Sequence, residues 1–308
     1  PGVIERLNID YASLRELHPG LIYARIKGFG TSGPYADFRC MDMVAQAAAG
    51  AFSITGEADG PPMMPGPTTG DSGTGVQTAM AILAAYIQKE RTGLGQEIEI
   101  SMQEAMIYYV RTRAFIGSAW GTQATGRNGN AGGLPPVNIY ACKPFGPNDY
   151  IYLMPVTQGH WDELCAAMDR GDLLIDPRFE TNRGRAQNGA ALYEEISNWT
   201  SERTKYEAME TIAGAGVPCS ACLDTAELHH DKHLMSRGFV HEMELPVHGR
   251  VPMLGFAPRM SQSSVDMTQP PRLGEHTDEL LAAELDLSED TLSKLRDDSV
   301  IGDPARFS

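Results

Sequence analysis

Gly70-Asp71-Ser72-Gly73-Thr74-Gly75 sets one carboxylate among small residues, just ahead of the apolar run Thr78-Ala79-Met80-Ala81-Ile82-Leu83-Ala84-Ala85-Tyr86. Residue type allows Asp71 two roles. A turn aspartate hydrogen-bonds to its own loop. A nucleophilic carboxylate attacks an activated carbonyl and forms a covalent intermediate where water is kept away. Thr74 and Gln77 have the spacing of a capping box, which predicts a helix beginning at Thr74 and leaves Asp71 upstream, free of capping duty. The nearby helix start favours negative charge. Gly70, Gly73 and Gly75 are expected to supply positive φ and a close backbone approach to a ligand. Nucleotide loops are excluded. No lysine follows the glycines, and Thr78 stands where a dinucleotide fingerprint needs its third glycine.

Other residues also have spacings that suit chemistry. Cys219-Ser220-Ala221-Cys222 is a redox pair or two structural thiols, and no second Cys-x-x-Cys completes a zinc site. His229, His230 and His233 have helical spacing compatible with a metal. Glu227, Asp231 and Lys232 around them read instead as a solvated face, and no metal is expected. His276, after Gly274-Glu275, is a general acid–base candidate or a capping residue. Arg6, Lys27 and Arg39 each adjoin a loop, and gathered around one pocket they would hold a phosphorylated ligand.

The elements that must position these residues read as an α/β chain. Asp10 caps a helix over Tyr11 to Leu17, and Leu21 to Lys27 is a strand feeding Gly28-Phe29-Gly30-Thr31-Ser32-Gly33-Pro34. A helix from about Asp42 to Ala49 follows, then a long Gly/Pro/Met-rich connection to the Asp71 loop. After the helix to Glu90 come a strand over Gln96 to Ile100 and a helix from a Ser101/Glu104 capping box to about Phe115. Strand, helix, strand, helix indicates parallel strands. Glycine and proline crowd between Trp120 and Pro136, which suggests domains over 1–122, 123–222 and 223–308. Beyond that boundary, strands are expected near Val137–Cys142 and Tyr150–Pro155. Helices are expected near Gly159–Met168, Asn188–Trp199, Thr204–Ala213, Thr225–Ser236, Gly274–Leu285 and Ser288–Arg296.

The 308 residues carry a net charge of −15, with 42% hydrophobic and 21% charged residues. This composition supports a sizeable core and argues against nucleic-acid or anionic-membrane surfaces. No apolar run reaches a membrane span. The odd count of five cysteines suits a reducing setting, so a cytoplasmic location is expected. The chain opens on Pro1, and a processed or truncated N-terminus is expected.

Several motifs occur together in order: Gly70-Asp71-Ser72-Gly73-Thr74-Gly75, Arg91-Thr92-Gly93-Leu94-Gly95-Gln96, Ser101-Met102-Gln103-Glu104-Ala105, Gly129-Asn130-Ala131-Gly132-Gly133, Val217-Pro218-Cys219 and Leu273-Gly274-Glu275-His276-Thr277. In these the chain resembles the class III CoA-transferases over almost its whole length. The resemblance implies a Rossmann-like parallel-sheet large domain, a smaller α+β domain and an interlocked homodimer. It implies that CoA moves from an acyl-CoA thioester to a free carboxylic acid, through aspartyl anhydride and aspartyl-CoA intermediates on Asp71. Coenzyme A is then substrate, with no tightly bound cofactor. Arg6 matches a CoA-contacting arginine, and Phe38, Arg39, Cys40 and Met41 match a segment lining the CoA site. Gly132, Gly133 and Leu134 match a loop shielding the intermediate from water. The family pattern begins with a βαβ portion, which this chain is expected to lack. Its transferase branch has four glycines where two stand here, and a tyrosine where Met41 stands. Racemases of the superfamily place a histidine there, and Asp42 is the neighbouring titratable group. A 2-methylacyl-CoA racemase or epimerase and a non-catalytic CoA-binding subunit are the alternatives. The acceptor is expected to be a dicarboxylate or hydroxy acid.

Overall fold

The computed structural model describes residues 2–245 and 248–302. Contacts divide the chain into two compact units, one of residues 1–145 and 149–221, the other of residues 146–148 and 222–308.

The first unit opens with α1 (Val3–Arg6), α2 (Tyr11–Leu17) and β1 (Tyr23–Lys27). Asp10 caps α2 as expected, its carboxylate accepting from the Ser13 N–H at 3.1 Å. Next come α3 (Asp42–Ala48), α4 (Thr69–Thr92), β2 (Glu97–Ser101) and α5 (Met102–Thr112), continued by a π-helical turn over Arg113–Gly117. β1 and β2 pair in parallel, from Tyr23 opposite Glu97 to Lys27 opposite Ser101, as the alternation of strands and helices predicts. Gly93 ends α4 in the left-handed conformation (φ 75°), where a side chain would be strained. Met102, Met106 and Val110 recur every four residues on α5 and bury against Ala45, Ala49 and Ala51. The outward face of α4 keeps Val76, Met80, Leu83 and Ile87 exposed.

Residues 137–221 of this unit form a second layer with its own core. It comprises β3 (Asn138–Ala141), β4 (Tyr150–Leu153), α6 (Gln158–Ala167), α7 (Asp172–Ile175), α8 (Asn182–Gln187), α9 (Gly189–Thr200), α10 (Lys205–Gly214) and β5 (Cys219–Ala221). The sheet is antiparallel in the order β3-β4-β5. Tyr140, Ile151, Leu153, Trp161, Leu164, Phe179, Leu192, Ile196 and Ile212 pack beneath it. Cys219 therefore belongs to a strand, not to a strand-to-helix redox turn.

The second unit holds α11 (Lys232–Ser236), the antiparallel pair β6 (Val240–Leu245) and β7 (Gly249–Leu254), α12 (Thr277–Leu285) and α13 (Glu289–Asp297). The helix expected over Thr225–Ser236 is broken. A 3-10 turn covers Glu227–His229, and Asp231 starts α11 by accepting from the Leu234 N–H at 2.8 Å. His229 and His233 thus lie on different elements, and His229 Nδ1 sits 3.2 Å from the Pro252 carbonyl. Among the described residues no group of three or more His, Cys, Asp or Glu could hold a metal ion. His276 precedes α12 without capping it through its side chain, whereas Ser288 caps α13 as expected. No helix among the described residues is long and apolar enough to cross a membrane.

Candidate active site

The carboxyl ends of β1 and β2 position the first part of the site. Ser101 ends β2 and caps α5, its hydroxyl accepting from the Glu104 N–H while donating to the Gly28 carbonyl at 3.3 Å. Gly28 follows β1, and a Cβ there would lie 2.0 Å from Cβ of Cys40. Only glycine lets the chain leaving β1 pass the returning segment this closely. Ligands of open parallel sheets gather at such strand ends.

The returning segment runs from Phe38 to Met41. Phe38 is exposed and stacks on Tyr35 with ring centroids 5.2 Å apart, and Phe29 meets it edge-on at 6.4 Å. Arg39 is exposed, and Cys40 is half-buried with Sγ 3.5 Å from the Met41 carbonyl. Met41 is 76% exposed and precedes α3 in extended backbone. Burial pushes the Cys40 thiol up, and the negative charge of Asp71 pushes it the same way. The backbone N–H of Asp71 donates to Oδ2 of Asp42 at 3.2 Å, and Asp42 follows Met41, so the start of α4 lies beside this segment.

Asp71 itself overturns one expectation from the sequence. The helix starts at Thr69, not Thr74, so Asp71 lies within the first turn of α4. Thr74 and Gln77 form no capping box. The Thr74 hydroxyl donates back to the Gly70 carbonyl at 2.5 Å, and Gln77 Nε2 donates to the Ala105 carbonyl at 3.1 Å. The glycines also act otherwise than expected, since none of Gly70, Gly73 and Gly75 has positive φ. A Cβ on Gly70 would stand 2.7 Å from the Asp42 carbonyl oxygen, and one on Gly73 2.6 Å from the Tyr109 ring. Two of the three are therefore small so that α3 and α5 can close on α4. Packing of this kind outweighs the cost of about 1 kcal/mol per glycine in a helix.

Asp71 is exposed, and its carboxylate has no hydrogen-bond or ion-pair partner among the described residues. A negative group in the first turn is favoured by the orphan N–H groups and the positive end of the helix dipole.

The other expected site residues lie elsewhere in the first unit. Arg6 ends α1 and is exposed, its guanidinium beside Gly2. Gly132 packs so tightly that a Cβ would meet the Tyr152 hydroxyl at 2.2 Å, and Leu134 is 64% exposed. Gly133 lines a cleft of about 700 Å³ with Glu57, Asn130, Tyr150, Tyr193 and Glu194. Asp71 is not part of that cleft.

The model of the family described as CoA-transferase family III matches residues 1–277. This chain belongs to that family. It is an enzyme of the CoA-transferase class. It is 35% identical to a formyl-CoA:oxalate CoA-transferase of Streptomyces avermitilis, over 98% of this chain and 76% of that protein. A protein of the same description from Rhodopseudomonas palustris (strain BisA53) is 33% identical over 99% of this chain and 76% of its own length. In structure, the family III chain resembles a CAIB/BAIF family protein from Brucella suis, with a TM-score of 0.78, 29% identity, and coverage of 92% and 72% of the two chains. A Mycobacterium tuberculosis protein at 22% identity shares the fold with a TM-score of 0.74.

Sequence reasoning about this family III enzyme passed over two residues. Asp42 stood out only as a titratable neighbour of Met41, and Tyr109 did not stand out at all. Gly73 lay ahead of the expected helix start at Thr74, so its closeness to Tyr109 became legible only once the structure put it inside α4. A Gly inside a helical pattern marks a place where another element comes close.

Proposed function

We propose that this enzyme transfers CoA from an acyl-CoA thioester to a free carboxylic acid, with Asp71 as nucleophile. A carboxylate of Asp71 attacks the thioester carbonyl, the C–S bond breaks, and CoA leaves as thiolate from a mixed anhydride. The thiolate attacks Cγ of Asp71, releasing the donor's carboxylate and leaving an aspartyl-CoA thioester. The acceptor carboxylate attacks that thioester and expels the thiolate. The thiolate then attacks the acceptor's carbonyl in the new anhydride, forming the product thioester and freeing Asp71. Each step exchanges one activated acyl for another, with no net redox change.

The observation that carries this reading is the free, exposed Asp71 carboxylate in the first turn of α4, whose backbone is hydrogen-bonded to Asp42, the residue after the Phe38–Met41 segment. Phe38 to Met41 and Arg6 are assigned to CoA. Gly132 to Leu134 are assigned to sheltering the anhydride, since water reaching it would end the cycle in hydrolysis. The descriptions of the relatives support formyl-CoA as donor and oxalate, a dicarboxylate, as acceptor. We extend the reading to a homodimer, supported by the uncovered Val76, Met80, Leu83 and Ile87 face of α4, and to a cytoplasmic location.

The racemase alternative has less support. Met41 cannot exchange a proton, and both carboxylate oxygens of Asp42 accept hydrogen bonds from the protein. The test is incubation with formyl-CoA and oxalate, followed by chromatography for oxalyl-CoA and hydroxylamine trapping. Transfer with a hydroxamate at Asp71, both lost in Asp71→Ala, is the expected result. Exchange of the α-proton of a 2-methylacyl-CoA in deuterated water without an acceptor overturns it in favour of racemisation.

A further inference from the structure

We infer that Asp42 is a positioning residue that holds the start of the Asp71 helix against the Phe38–Met41 segment. The inference rests on the proposed role of Asp71 as nucleophile. Asp42 is 9% exposed, and no step proposed above uses it. Its Oδ2 accepts from the backbone N–H of Asp71 at 3.2 Å, and its Oδ1 accepts from Nε2 of Gln46 at 2.5 Å.

Asp71 occupies the third position of α4, whose N–H is one of those a local N-cap side chain usually takes. Thr68 stands at the N-cap and makes no such bond with its side chain. A carboxylate 29 residues upstream supplies the cap instead. Asp42 is also the first residue of α3, so one buried carboxylate sits at the N-termini of two helices. Gln46 is fully buried and donates a second bond from Nε2, to the Pro67 carbonyl at 2.9 Å. It thereby ties the connection leading into α4 to the same carboxylate. Gly70 completes the clamp, because any side chain there would push against the Asp42 backbone.

Met41 is the immediate neighbour of Asp42 in the chain. A shift of the segment assigned to CoA therefore reaches the backbone of the nucleophile through one residue and one hydrogen bond. The clamp fixes the backbone that carries the Asp71 carboxylate before substrate arrives. Misplacing a reacting group by about 1 Å can cost on the order of 100-fold in rate.

The experiment compares Asp42→Ala, Asp42→Asn and Gly70→Ala in the intact protein, using formyl-CoA and oxalate and amide hydrogen exchange. Asp42→Ala is expected to lower kcat by on the order of 10- to 100-fold. KM for formyl-CoA should change less than about threefold, because the loss falls on the reacting geometry. Exchange of the amides at 70–72 should accelerate while those of β3 and β4 stay protected. Asp42→Asn keeps an acceptor oxygen and should recover most of kcat. Gly70→Ala leaves every polar group in place but separates the two helix starts, and should reproduce the kcat loss even if Asp42→Ala fails to fold. Unchanged amide protection at 70–72 together with unchanged kcat in Asp42→Ala overturns the inference. Asp71→Asn in the same assay separates the two claims. Retained transfer there removes the nucleophile, whereas the exchange data still judge the clamp.

Discussion

Nε of Arg127 donates to the Glu57 carbonyl at 3.2 Å, and the Glu57 carboxylate in turn stands so close to Gly129 that a Cβ there would lie 2.5 Å from Oε2. The same guanidinium reaches the carbonyls of Ser53 at 3.2 Å and Gly60 at 2.6 Å. Three backbone carbonyls share one planar donor, and the chain entering Gly132–Leu134 is stapled to the 53–60 connection. Arg127→Ala is expected to destabilise the protein by about 2 kcal/mol, the scale of lost bonds to a charged donor. Arg127→Lys should recover less than half of that, since an ammonium lacks the fork geometry. Urea denaturation of the variants measures both.

Gly73 and Gly75 lie two residues apart in α4 and should respond in opposite directions to alanine. A methyl on Gly73 meets the Tyr109 ring at 2.6 Å, while one on Gly75 meets nothing within 4 Å. Gly75→Ala is expected to stabilise by about 1 kcal/mol through helix propensity. Gly73→Ala should destabilise by about 1–3 kcal/mol through overpacking. Adding Tyr109→Ala should remove most of that penalty. Thermal melts of the three variants decide the matter, and equal effects at the two glycines would refute the packing account.

Acid stability should fall through two identified carboxylates. The Thr204 backbone N–H and hydroxyl hold Glu207 below the usual glutamate value of 4.5. The Thr31 hydroxyl and backbone N–H do the same for Glu99. A depressed folded-state pKa contributes stability that is fully present above the ordinary value and is lost as pH falls through the folded one. Melting temperature should therefore hold steady near neutrality and decline below about pH 4.5. Glu207→Gln and Glu99→Gln should each flatten that decline when melts are recorded from about pH 7 to pH 3.

Burial pushes the Cys165 thiol up to about 12, and the residue is fully inaccessible in the core beneath β4. The thiolate is the reactive form. Iodoacetamide at about pH 8 should leave Cys165 unmodified in the native protein and label it once urea unfolds the chain. Peptide mass spectrometry reads the outcome.

Local signals sufficed wherever neighbouring residues carry the instruction. Asp10, Ser101 and Ser288 each accept from a backbone N–H three residues on, so their helices could be placed from spacing alone. The parallel pairing of β1 with β2 followed from strands alternating with helices. The break at Asp231 was hidden because a single capping aspartate inside a helical pattern reads as one more polar residue.

The sequence by itself determined the family, through motifs kept in order along the chain, and singled out Asp71 among forty acidic residues. It could not place the start of the helix that carries Asp71. Thr74 and Gln77 satisfied the local rule for a cap, yet the helix begins five residues earlier. The decisive contacts come from Asp42, 29 positions upstream of Asp71, and from Tyr109, 36 positions beyond Gly73. Only the tertiary structure brings α3 and α5 onto α4, where a distant carboxylate replaces the local cap and the glycines become points of contact. Asp71 thereby moves from a free loop into a helix's first turn, where the field of the helix acts directly on its charge.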